Sequence, residues 1–148
     1  MENITSLKIY VCAVLGAVGA FISWLFGGWS EDMLTLIILM ISDYITGVIV
    51  AAFFKKSKKS ENGSLSSVAG LKGLCKKGVM LLVVLIAHRL DISLGVEYIK
   101  STAIIGFIAN ETISVTENIG LMGVPLPEVI NRALEVLKNK SGNKKEGE

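Results

Sequence analysis

Asp43, Arg89 and Glu111 each interrupt a long apolar run, and charge at such a place needs a compensating partner. At about 1.5 Å per helical residue, Asp43 falls roughly 16 Å into its run. Arg89 counts to the same height on a second run, and Glu111 to slightly less on a third. Anion, cation and anion at one depth predict a mutually compensating interior cluster. His88 and Asp91 sit within a turn of Arg89 and extend it. Ser114 and Asn118 share a helical face with Glu111, and Glu117 adds a further acid on that segment. Such a cluster allows three chemistries: glue that fixes helix packing, the lining of a water-filled opening, or a proton relay through Glu111 and His88.

Catalytic patterns are missing, so we expect no enzyme, no metal site and no cofactor. A single histidine cannot build a multi-histidine metal site. No glycine-rich loop ends in Lys-Ser or Lys-Thr to cradle phosphates, and no serine lies in a nucleophile turn. Nor does a net charge of +2 argue for nucleic acid, because the lysines are clustered beside apolar runs. Cys12 and Cys75 read as free, small apolar residues.

The elements that must hold these groups are spans. Of 148 residues, 51% are hydrophobic and the mean hydropathy is +0.59, with apolar residues bunched rather than periodic. Four spans are expected, at about 7–26, 33–54, 78–95 and 99–119. In the first, Gly16 and Ala20 lie among alanines at helical spacing. With Gly47 in the second span they are candidate helix-packing positions, since small residues let backbones approach in lipid. Trp24 and Trp29 suit an interfacial belt. Gly27-Gly28 allows a turn, and Ser30-Glu31-Asp32 a helix cap.

Between the second and third spans lies a basic segment, 55–77. Its first half reads as a polar loop. Its second half spaces Leu65, Val68, Leu71 and Leu74 as a short amphipathic helix at the headgroups. Lys55, Lys56, Lys58, Lys59, Lys76 and Lys77 would then face anionic lipid. Beyond Gly123-Val124-Pro125-Leu126-Pro127, the residues Leu126, Ile130, Leu134 and Leu137 predict a cytoplasmic amphipathic helix. A disordered charged tail is expected from Asn139. The expected organisation is therefore all-α: a membrane domain over 1–122 and a cytoplasmic segment over 123–148. With four spans the basic clusters fall on one side, which places both termini in the cytoplasm.

One ordered series of residues carries a family resemblance. It runs Asp43-Tyr44-Ile45-Thr46-Gly47, then Ser67, Gly70, Gly73 and Lys77, then Asp91. Its most specific part is Glu111-Thr112-Ile113-Ser114-Val115-Thr116-Glu117-Asn118, followed by Gly123-Val124-Pro125-Leu126-Pro127. In this the chain resembles the phage lysis and toxin-secretion holins, small pore-forming proteins of bacterial membranes. The resemblance implies a homo-oligomer in the cytoplasmic membrane that opens lesions for an endolysin or a large toxin. The polar residues named above are then pore-lining candidates. A small ion or proton conductor, and an antiholin or scaffold acting on a related pore former, are the competing readings.

Overall fold

A computed structural model describes residues 2–59 and 63–142. It is all-helical among the described residues: α1 (Glu2–Leu25), α2 (Glu31–Ile49), α3 (Ser67–Leu94), α4 (Ile99–Leu121) and α5 (Glu128–Gly142). A π-helical stretch, Val50–Phe54, prolongs α2 and ends where Lys55 turns left-handed at φ 50°.

Local chemistry sets most boundaries. Ser30 caps α2 by accepting from the Met33 amide at 3.3 Å, and Glu31 and Asp32 sit in the first turn, where the helix dipole favours acids. Ser66 caps α3 in the same way through the Ala69 amide. Gly95 closes α3 in the left-handed conformation at φ 65°. Gly27 (φ 70°) and Gly28 (φ 88°) form the turn between α1 and α2. A methyl group at Gly27 would also overlap the imidazole of His88 on α3. Gly27→Ala should therefore destabilise the fold by at least about 1–2 kcal/mol from backbone strain alone. A lowered melting temperature in detergent checks this.

Helices α2, α3 and α4 pack together, with α2 against α4 the most extensive pairing. The buried positions of α2 are Met33, Leu36, Met40 and Asp43; those of α3 include Lys77, Val84 and Asp91; those of α4 include Ile104, Glu111 and Asn118. Steps of three, four and seven mark one seam per helix, the spacing of side-by-side helix packing. The seam changes character along its length. Met33, Leu36, Met40, Val84 and Ile104 form an apolar half, and Asp43, Lys77, Glu111 and Asn118 form a polar half. From Ile4 to Leu25, no residue of α1 is buried. Large apolar side chains cover the outer faces as well, among them Ile38, Ile41, Ile45, Leu82, Ile86 and Ile105. Charge inside and apolar surface outside reverse the partition expected in water.

Three expectations need correction. Among the described residues two helices, Ile4–Leu25 and Glu31–Phe54, are long and apolar enough to cross a membrane, not four. Although α3 and α4 have 28 and 23 residues, ionisable groups interrupt both. The separate headgroup helix is also absent. Its residues from Ser67 onward are the first turns of α3, which runs through Gly78 without a break. Finally, helix α5 lies where the leucine spacing placed it but continues to Gly142, past the expected start of the tail. The rest of that tail, 143–148, lies outside the described residues.

Candidate functional site

The polar half of the seam is built from equal depths. Asp43 lies eleven residues before Phe54, Lys77 ten after Ser67, and Glu111 ten before Leu121. At about 1.5 Å per residue, all three sit some 15–17 Å from the same end of the bundle. The Lys77 ammonium donates to Asp43 Oδ2 at 2.9 Å and to Glu111 Oε2. All three residues are under 10% exposed, with Asp43 at 4%, Glu111 at 3% and Lys77 at 8%.

Asp43 gathers most of the remaining donors. Ser114 Oγ donates to Asp43 Oδ1 at 2.5 Å, and Asn118 Nδ2 donates to the same oxygen at 3.0 Å. The Asn118 amide also reaches Thr46 Oγ1 at 3.0 Å and the Asp43 carbonyl at 3.3 Å. From the loop, Lys59 brings its ammonium to 3.5 Å of Asp43 Oδ2 while remaining half exposed. Two carboxylates thus meet two ammonium groups, so the site is close to neutral. No buried side-chain nitrogen or oxygen among the described residues lacks a partner. A fully satisfied network of this kind holds helices in one register.

Lys77, rather than Arg89, is the interior cation. Arg89 is exposed and, among the described residues, is in no ion pair. The reason is where α3 starts. Counted from Gly78, Arg89 matched the height of Asp43. Counted from Ser67, it lies 22 residues along the helix, about 33 Å, and near the other end. The same boundary, Gly78, puts Lys77 at the headgroups. Its seam spacing to Val84 and Asp91, seven residues each, was the signal that could have found it.

The other candidates divide. Asp91 is buried at the far end, where Oδ1 accepts from the Ile99 amide and Oδ2 from the Lys100 amide, each at 2.9 Å. It caps α4 from a neighbouring helix. Lys100 in turn donates to the Phe26 carbonyl, which ties the α1–α2 turn to that end. Glu117 is exposed, 3.9 Å from Lys58. Lys55, Lys56 and Lys76 are exposed as well. Gly47 packs at the α2–α4 contact, where a methyl group would lie 3.7 Å from Asn118 Nδ2. Gly16 and Ala20 lie on the unburied α1, with open space at Gly16. Among the described residues, no group of three or more His, Cys, Asp or Glu side chains could hold a metal.

Comparison with known proteins gives a consistent answer. The model of the bacteriophage holin family matches residues 20–139. An uncharacterized protein of Clostridium perfringens (strain 13 / Type A) is 39% identical over 140 residues, 92% of this chain and 98% of that protein. A 14.9 kDa protein in the nagH 3' region of Clostridium perfringens is 38% identical, over 95% of this chain and 99% of its own length. The probable holin of Bacillus phage phi105 is 34% identical over 112 residues, 75% of this chain and 77% of that protein. No solved structure matches.

Proposed function

The chain belongs to the bacteriophage holin family, and we propose that it oligomerises in the bacterial cytoplasmic membrane and opens lesions that let an endolysin or a large toxin leave the cell. The observation that carries this reading is the near-neutral polar half-seam: Asp43, Lys77, Glu111, Ser114 and Asn118 facing one another inside an apolar exterior. Within one subunit these groups satisfy each other and meet no lipid. If subunits assemble and the polar ends of α2, α3 and α4 part, water can take the place of each partner. The same side chains then line an aqueous edge at little cost in net charge. Two packings of similar energy give a sharp transition once enough subunits have accumulated. Contacts between subunits fall to α1, whose small-residue face at Gly16 and Ala20 is exposed among the described residues. On this reading α3 and α4 also cross the bilayer, sheltered by the bundle, and both termini are cytoplasmic. The protein does no chemistry of its own.

Timed expression with and without a co-expressed muralytic enzyme tests it. Expression alone should permeabilise the membrane abruptly and release a cytosolic protein, and lysis should follow only with the enzyme. Asp43→Leu and Glu111→Leu should shift the onset or abolish it. Graded ion flux with no protein release would favour an ion conductor. Harmless expression that delays a co-expressed relative would make the chain an inhibitor.

A further inference from the structure

Between α3 and α4 runs an open groove of about 1070 Å3. Its walls are apolar or small along most of its length: Val79, Met80 and Val83 from α3, and Ala103, Gly106 and Phe107 from α4. One end is different. Lys72, Lys76 and Asn110 stand there, and the same three residues also line the adjoining cleft, of about 330 Å3, that leads to Asp43 and Glu111.

Charge accounting at that end leaves a surplus. Lys77 and Lys59 already offset the two carboxylates. Lys72 and Lys76 are exposed and, among the described residues, neither is in an ion pair. They stand one helical turn apart, where like charges repel. An anion between them removes that repulsion. The groove continuing from this point is too apolar to be left to water and has the wrong lining for a free ion.

We propose that this groove binds one anionic phospholipid, with its phosphate at Lys72 and Lys76, Asn110 donating from across the groove, and an acyl chain lying along Val79, Val83 and Gly106. Charge complementarity at one end and continuity of the apolar wall select a lipid over free phosphate. A second copy's α1 would fill the apolar part, but its one acid, Glu2, is the first residue of the helix, and its apolar stretch from Lys8 to Leu25 brings a cation and no acid, which leaves the lysine pair unanswered. The inference stands apart from lesion formation, since it concerns the outer face of the closed bundle.

The full chain carrying Cys12→Ser, in detergent, leaves Cys75 in the groove wall as a reporter. Phosphatidylglycerol or phosphatidylcholine with identical acyl chains is titrated in. Native mass spectrometry counts retained lipid, and maleimide labelling of Cys75 reads occupancy. One phosphatidylglycerol per chain should be retained, and labelling should slow. Lys72→Gln with Lys76→Gln should weaken binding about thirtyfold, from two lysines at a membrane surface. Gly106→Leu, whose Cβ would meet nothing within 4 Å, should block the groove without altering charge. Equal retention of phosphatidylcholine would overturn the proposal. So would protection of Cys75 by inorganic phosphate alone. Protection that grows with protein concentration in the absence of lipid would instead assign the groove to a second copy.

Discussion

Lys77→Met is expected to be the most damaging single substitution in the bundle, at about 3–5 kcal/mol. Methionine matches the lysine stem in length, so little packing is lost. What is lost is the cation between two carboxylates, each of whose side chains is 5–6% exposed. Lys59 cannot take its place, because it approaches Asp43 from the loop at 3.5 Å and has no ion pair with Glu111. Thermal unfolding in detergent should show a melting point lower by on the order of 10 °C. Lys77→Met combined with Asp43→Asn and Glu111→Gln should recover most of the loss, since neutral groups remove the repulsion that the single variant creates. Arg89→Gln should change stability by less than about 0.5 kcal/mol, as exposed substitutions do. A small effect at Lys77 with a large one at Arg89 would reverse the assignment of the counter-ion.

That contrast shows what could be read from the sequence and what could not. Asp43 and Glu111 announced themselves, because a carboxylate inside an apolar run is rare and needs a partner. Ser114 and Asn118 followed from sharing a face with Glu111, and both indeed reach Asp43. Their partner was hidden by a boundary. Hydropathy falls at Lys76-Lys77, which suggests a membrane edge, yet nothing there breaks a helix. Gly78 is tolerated inside α3, and the capping signal is at Ser66. Starting α3 eleven residues early moves every depth on it by about 16 Å. Helix boundaries are set by caps and breakers, and hydropathy reports a different property. The count of spans differs for a related reason: helix length alone makes α3 and α4 look like spans, but the ionisable groups along both keep them below the hydropathy of α1 and α2.

Asp91 also announced itself as a charge in an apolar segment, but its work is backbone capping, and that carries a second large prediction. Tyr98 stands at the N-cap of α4 and offers no side-chain hydrogen bond. The first amides of α4 depend instead on the Asp91 carboxylate, one oxygen to Ile99 and one to Lys100. The Asp91 carbonyl meanwhile accepts from Val96 in the intervening turn at 3.0 Å. Asp91→Ala removes two charge-assisted bonds at a buried position and the favourable placement of an anion at a helix N-terminus. It should cost about 2–3 kcal/mol. Asp91→Asn keeps one good acceptor and loses the charge, so about half that cost is expected. The alanine variant should also speed hydrogen exchange selectively at the Ile99 and Lys100 amides, leaving the seam near Glu111 slow. Unchanged exchange at those two amides would show that α4 starts without help from α3. The hold on the α3–α4 turn would then have to come from the bond between Lys100 and the Phe26 carbonyl.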